Sequence, residues 1–373
     1  IARLAPMRAE HGRIVDVDSL DQLDRLLARG ARTMRGWRLQ DLDLRERDAQ
    51  LRQLDPRGAV LLGCDLAQDQ ETWLVAGGAL VFADVPETPF NAYRSTLYSP
   101  DELLDVAPEH HERSLDARVY AWSRQRTRDV AHTLAAAMHD HAMDDALGEW
   151  VRGRSVVGVM GGHRVQRDEP AYGEAARLGR ALAAAGCTVA TGGGPGAMEA
   201  ANLGARAAGV SDAVLSEALG IVAAVPTYVG RMAAWLRSGL DARTLLEPAS
   251  DTLGVPTWHY GHEPPNVFQT AVAKYFQNSV REDLLLRVAT AGIVVLPGEG
   301  GTVQEIFQDA CEVSYADESG WTPIVLVGRS YWTERYPAWQ LLEAVMRDRP
   351  GAQGLALVDT VEEAVDAVVR LAR

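Results

Sequence analysis

The 373-residue chain is 47% hydrophobic, carries a formal charge of −14 and holds 34 glycines against 5 phenylalanines. That length buries a sizeable core, in two domains or one enlarged one, while the acidic balance argues against a nucleic-acid polymer, whose binding needs clustered Lys and Arg to displace counterions. Three widely spaced cysteines (Cys64, Cys187, Cys311) without CxxC spacing argue against a disulfide framework or zinc site, and no secretory or membrane-length apolar run is read, so a cytoplasmic setting is expected.

Residues 1–115 read as a small α+β module. Leu20–Leu27 is spaced as an amphipathic helix; Gly36–Leu44 and Ala59–Leu66 are strand-like, and Leu74–Phe82 reads as a further short strand pair. A proline-punctuated stretch follows. The segment 116–150 is helical in pattern and collects His132, His139, His141, Asp140, Asp144 and Asp145. A solvated or interdomain helix explains that set better than a metal cluster.

From residue 154 strands and helices alternate. Ser155–Met160, Cys187–Ala190, Leu219–Val225, Ile293–Leu296, Pro323–Val327 and Leu355–Val358 read as strands, with Gly254–Thr257 as a strand remnant. Pro170–Ala185, Gly196–Ala208, Val267–Ala289, Thr302–Tyr315, Trp339–Met346 and Val361–Leu371 read as helices. Repeated strand–helix units with short connections predict a Rossmann-like, doubly wound parallel sheet over 116–373, covered by helices on both faces.

In such sheets ligands bind beyond the carboxyl ends of the strands. Three predicted strands end in Gly-rich turns: GGH at Gly161, Gly162 and His163; GGGPGAME at Gly192–Glu199; and PGEGGTVQE at Pro297–Glu305. Glycines let backbone N–H groups approach an anion, and each turn feeds a helix N-terminus that favours negative charge. Together they point to a phosphorylated ligand. Gly192–Gly196 is a poor GxGxxG, and no acidic residue sits well at the second strand end to hold an adenosine ribose, so an NAD-dependent dehydrogenase is disfavoured.

PGEGGTVQE resembles the PGGxGTxxE signature of the LOG (Lonely Guy) family, formerly described as lysine decarboxylase-like. GGGPGAMEAA resembles that family's second phosphate-proximal turn. GGH at Gly161, GPGAMEA at Gly194, EPPN at Glu263–Asn266 and an Arg-bearing helix before the PG strand resemble its bacterial nucleotide 5′-monophosphate nucleosidases. The resemblance spans roughly 153–330. It implies a phosphoribohydrolase that releases free base and ribose 5-phosphate, with no metal or redox cofactor, and a homodimer or larger assembly. By position it makes Glu305 the catalytic carboxylate and Arg281 the catalytic arginine, with Arg287 a lesser match, and it assigns Gly298, Gly300, Gly301 and Thr302 to the phosphate turn. Gly193, Gly194, Gly196 and Met198 fall in the second turn.

The chemistry agrees. Breaking an N-glycosidic bond builds positive charge on the ribose, and a carboxylate beside the sugar stabilises it and activates water. Glu305 lies three residues after Thr302, one turn into the helix. It could instead serve only the helix dipole. Arg281 either faces the site or pairs with Glu282 or Asp283 on the helix surface. Glu199 either caps its helix or bonds a ribose hydroxyl. His163 contacts the base or merely completes its turn. The loop with His259, Tyr260, His262, Glu263 and Asn266 is polar and Pro-bounded, as base-lining loops are. Glu299 stands where the family has a second glycine; it would repel a phosphate unless it points outward or pairs with an arginine, and would strain the turn at positive φ. A non-catalytic nucleotide-binding or sensing protein of the same fold is the alternative that Glu299 favours.

Overall fold

The computed structural model describes residues 15–83, 88–125, 130–260, 263–315 and 321–371. Its contacts divide the chain into two compact units. The smaller lies within Ala5–Thr96 and Gln125–Ala146, the larger within Leu97–Arg124 and Leu147–Arg373.

In the smaller unit β1 (Val15–Val17), β2 (Trp37–Gln40), β3 (Val60–Leu62) and β4 (Leu80–Phe82) pair in that order. All three pairings are parallel. The strands are joined through α1 (Leu20–Ala28), α2 (Asp48–Leu51) and α3 (Gln68–Ala76). The expected α+β module is thus built from parallel strand–helix repeats. The segment 74–82, expected as a strand pair, is the end of α3 followed by β4. Gly77 caps α3, Gly78 at φ +92° turns the chain, and only the second apolar half is extended.

Before the large sheet come α4 (Pro100–Leu103), α5 (Leu115–Ser123) and α6 (Val130–Trp150), of which α6 belongs to the smaller unit up to residue 146. The large sheet is formed by β5 (Val156–Met160), β6 (Thr188–Thr191), β7 (Thr252–Gly254), β8 (Ala271–Val272), β9 (Ile293–Val295), β10 (Ile324–Val327) and β11 (Leu355–Val358). Their spatial order is β11-β10-β9-β5-β6-β7-β8, with every pairing parallel. The chain therefore builds outward from β5 to β8, then returns to add β9 to β11 on the other side. The interleaved helices are α7 (Pro170–Ala184), α8 (Ala197–Arg206), α9 (Asp212–Ala223), α10 (Met232–Thr244), α11 (Asn278–Val288), α12 (Gly300–Ser314), α13 (Ala338–Met346) and α14 (Val361–Leu371).

Side chains alternate across each strand. Val157 and Val159 of β5, Val189 of β6, Val294 of β9 and Val325 and Val327 of β10 join one core with α7, α8, α9, α10 and α14. Their neighbours Val156, Met160, Ile293, Val295 and Leu326 are also buried, so both faces of the sheet are covered. That double burial explains the near-continuous apolar strands.

Two sequence expectations fail here for identifiable reasons. Leu219–Val225 is not a strand but lies largely within α9, whose N-terminus is capped by Ser211 accepting from the Val214 amide. A short apolar run cannot by itself separate a buried strand from a buried helix. The long helix expected over Val267–Ala289 is β8 and its extended flanks, then α11. The amides of Thr270, Ala273 and Tyr275 donate to the carbonyls of Thr252, Gly254 and Pro256, so this backbone is committed to a ladder beside β7.

α7 and α8 pack at backbone contact. A Cβ on Gly204 would lie 1.8 Å from the Ala176 carbonyl oxygen, and one on Gly179 would lie 2.0 Å from that of Ala201. Neither helix can retreat without moving its strand. Gly204→Ala is expected to destabilise the chain by about 3 kcal/mol. Gly220→Ala, in α9 with open space around the site, is expected to stabilise by about 0.5–1 kcal/mol. Denaturant midpoints of the two variants test the pair, and equal effects would contradict the packing.

Candidate functional site

The strand order reverses between β5 and β9, and a cleft of about 760 Å³ opens over the carboxyl ends there. The turn after β9 and the first turn of α12 form one end. Gly298, Gly300, Gly301 and Thr302 line it. The first intrahelical bond of α12 runs from the Val303 amide to the Glu299 carbonyl, and no side chain caps the helix. The amides of Gly300, Gly301 and Thr302 therefore have no carbonyl within the helix and suit an anion. A Cβ at Gly298 would lie 2.1 Å from Thr302 Oγ1, so only glycine fits. Tyr331, beyond β10, donates from its hydroxyl to the Gly298 carbonyl at 2.9 Å.

Glu299 departs from the feared geometry. Its φ of −100° is extended and unstrained, and its half-exposed carboxylate pairs with Arg164 at 3.3 Å.

The turn after β5 supplies Gly161, Gly162 and His163 to the floor, and the turn after β6 supplies Gly194 and Met198. The turns are tied by backbone: the Gly162 amide donates to the Pro297 carbonyl, and the Ala197 amide donates to the Gly162 carbonyl. Gly196, at φ +76°, would drive a Cβ to 2.5 Å from the Gly162 carbonyl oxygen.

Arg281 of α11 and Glu305 of α12 meet on one wall, Nη1 to Oε1 at 4.0 Å. A Cβ on Gly192 would sit 3.5 Å from Arg281 Nη1, which places the guanidinium beside the β6 turn. Arg281 Nη2 donates to Asn278 Oδ1 at 3.2 Å, while its buried Nε has no hydrogen-bond partner among the described residues. Arg287 is half-exposed and lies near Asp283; it does not line the cleft. The Glu305 side chain keeps 19% of its surface open. Burial pushes its carboxyl up to about 7, the Arg281 charge opposes that rise, and the nearby Glu282 charge adds to it. Glu282 also lines the cleft, and its oxygens accept from Asn278 at 2.7 Å, Gln304 at 2.8 Å and Tyr260 at 3.4 Å.

The far end is formed by Pro256, Thr257, Tyr260 and Glu263, beyond β7. His262 of the expected loop lies outside the described residues.

Four expected binding residues are not brought to the cleft. Glu199 is fully buried, bound by Arg167 Nε at 3.0 Å and the Tyr172 hydroxyl at 3.0 Å. Arg167 in turn stacks over Trp235, 3.6 Å from the ring centroid. Asn266 is buried and donates to Asn202 Oδ1 at 2.9 Å. Gly193 packs on Pro256 and Gln269, and Gly196 lies beneath the floor. In the smaller unit His139 is fully buried, edge-on to Phe90 with centroids 5.1 Å apart, and burial lowers its pKa. Among the described residues no group of three His, Cys, Asp or Glu is placed to hold a metal ion, and no helix is long and apolar enough to cross a membrane.

Sequence reasoning missed Arg164, Glu169, Pro256, Thr257, Glu282 and Tyr331 as lining residues. Arg164 follows directly on the GGH turn already marked by glycines, a signal that could have found it. Tyr331 follows β10 with no motif around it.

Residues 154–216 match the SLOG cluster4 family model. Among solved structures the chain is similar to TM1055, a structural genomics target, at 23% identity over 58% of this chain and 99% of that one, with a TM-score of 0.39. It is also similar to the Moco carrier protein from Chlamydomonas reinhardtii (20% identity, 58% and 97% covered, TM-score 0.36) and to the molybdenum cofactor binding protein from the phototrophic bacterium Rippkaea orientalis (16%, 60% and 99%, 0.37). No curated protein matches the chain. The PG turn at Pro297–Glu305 falls outside the matched segment. The matched segment, 154–216, carries β5, α7, β6, α8 and the Gly-rich turns between them, and it is this part of the chain that is similar to the SLOG cluster4 family.

Proposed function

We propose that the chain is a nucleoside 5′-monophosphate N-glycosidase, a hydrolase releasing free base and ribose 5-phosphate. One observation carries the reading: a carboxylate raised to about 7 stands 4.0 Å from a buried arginine on the wall of a cleft whose end is an uncapped helix N-terminus.

The phosphate is held by the free amides of α12, which fixes the ribose along the wall. The bond between C1′ and the base nitrogen breaks, its electron pair leaves with the base, and positive charge develops at C1′ and the ring oxygen. Ionised Glu305 stabilises that charge and takes a proton from the water whose oxygen bonds to C1′; the departing base gains a proton. Arg281 opposes the protonation that burial favours, which keeps Glu305 usable near neutral pH. Glu299 does not block the anion site, because its carboxylate is turned to Arg164.

Incubation with purine and pyrimidine 5′-monophosphates, followed by chromatography for free base, tests the reading. Glu305→Gln is expected to lose on the order of 10²–10⁴-fold in rate. The matching nucleosides should be cleaved far more slowly, since the anchor is gone; equal rates would sink the phosphate argument. No release from any nucleotide would leave a non-catalytic nucleotide-binding protein.

Because the active form is the carboxylate, kcat/KM should rise with pH through about 7 and fall away below it. Arg281→Gln should move that limb to higher pH, since the charge opposing protonation is removed; an unmoved limb would separate the arginine from the carboxyl.

The same shift carries a stability cost. A carboxyl whose folded pKa is raised from 4.5 to about 7 makes the folded chain bind its proton more tightly, so stability falls as pH rises through that window. Glu305→Gln should therefore unfold later than the wild type at pH 8, by up to about 3 kcal/mol, with the gain largely gone at pH 5. Equal stabilities at pH 8 would contradict the buried ionised carboxylate.

A further inference from the structure

The far end of the cleft holds a carboxylate that the reaction does not use. Glu263 is half-buried and lines the cleft with Thr257 and Tyr260. Among the described residues no hydrogen bond or ion pair occupies it. Its Oε2 lies where a Cβ on Gly194 would come within 3.2 Å. Arg281 stands against Gly192 of the same turn. Contacts link these groups in succession: Glu305, in the same helix as the α12 amides, with Arg281, Arg281 with Gly192, and Gly194 of that turn with Glu263. A nucleotide anchored by its phosphate at the α12 amides and cleaved beside Glu305 has Glu263 available to its base.

The carboxylate is held in place from behind. Pro264 and Pro265 are buried, and Asn266 is locked by its bond to Asn202 Oδ1 and by accepting from the Phe268 amide at 3.0 Å. The Tyr260 ring, 51% exposed, stands at the same rim. Its hydroxyl accepts from Asn278 at 2.9 Å, and His259 buttresses the ring edge-on at 5.3 Å. The rim thus offers an aromatic face for stacking beside an acceptor for the base edge.

An ionised carboxylate only accepts, and its two oxygens suit two parallel donors. Guanine presents N1–H and the N2 amino group side by side. Adenine and cytosine place an amino group next to an acceptor; hypoxanthine offers a single N–H between a carbonyl and a C–H, and uracil a single N–H between two carbonyls. We infer that Glu263 reads the paired N–H edge of guanine, which makes guanosine 5′-monophosphate the favoured substrate of this cleft. The inference rests on the glycosidase reading for the word substrate, but on the cleft alone for the guanine preference.

Two readouts on the 373-residue chain separate these. The first is kcat/KM for GMP, IMP, AMP and 2′-deoxyGMP; the second is calorimetric binding of the same nucleotides. Both are measured for the wild type and Glu263→Gln, whose amide N–H would meet the guanine donors. The wild type should prefer GMP to IMP by about 10–100-fold, the loss of one charge-assisted hydrogen bond, and E263Q should bring that ratio within about threefold. 2′-DeoxyGMP should follow GMP. If nothing is cleaved but GMP binds selectively and E263Q abolishes the selectivity, the glycosidase reading falls and the guanine assignment stands. GMP handled no better than IMP, a penalty in E263Q confined to ribonucleotides over their 2′-deoxy forms (which would make Glu263 a ribose ligand), or binding of no nucleotide at all would each overturn it.

Discussion

Between β5 and β9 the strand order reverses, and the helices leaving those two strands pass to opposite faces of the sheet. α7 packs with α8 and α14, whereas α12 packs with α11 and α13. The cleft opens above the two carboxyl ends, over turns tied to each other by the Gly162 amide and the Pro297 carbonyl. This is a constraint of topology, not of any side chain. It decides which segments can reach a ligand: the turns after β5, β6, β7, β9 and β10, and the first turns of the helices they feed. Arg281 and Glu282 are exceptions, entering from the side, because α11 runs into β9 and places Arg281 against the β6 turn.

Within that frame the costly element is Glu305. Its helix position alone would have stabilised a charge, since carboxylates near a helix N-terminus are favoured. Burial outweighs that benefit and raises the pKa, with Glu282 adding to the rise and Arg281 only partly restoring the balance. Structural ion pairs in this chain are arranged differently. Arg167 and Glu199 are more deeply buried, yet Glu199 also receives the Tyr172 hydroxyl, and Arg167 also reaches the Trp235 carbonyl and Ser238. A buried pair with its other valences filled holds its elements together. The Arg281–Glu305 pair is looser and leaves Arg281 Nε without a partner among the described residues. Incomplete satisfaction is what distinguishes the wall of a site from a core network.

The local rules that make these elements were readable from the chain. β9, α12, β11 and α14 follow from an apolar run, a Gly-rich break and a 3.6-residue spacing, and all are set by near neighbours. The meeting of Arg281 with Glu305 depended on a motif, since 24 positions separate them and spacing alone does not bring α11 to α12. Glu199 shows the opposite case. It follows a Gly-rich turn as Glu305 does, but its side chain turns inward to Arg167, a partner 32 residues away that no pattern announces. α9 and the extended stretch before α11 were misread because their apolar content is compatible with either state. Which state won was decided by the Ser211 cap in one case and by the free ladder of β7 in the other.

The floor of the cleft is main chain resting on main chain. Gly196 touches the Gly162 carbonyl, the Ala197 amide bonds to it, and the Gly162 amide bonds to Pro297. Apart from His163 and Met198, that floor presents almost no side chain that divergence can exchange, and a methyl group added at Gly196 would press on the Gly162 carbonyl that ties the turns. Drift in ligand preference among descendants of this chain therefore falls on those two side chains, on the wall and on the rim, where Arg164, Tyr260, Glu263, Glu299 and Tyr331 stand. The lineage can change what it recognises while being unable to change where it holds it.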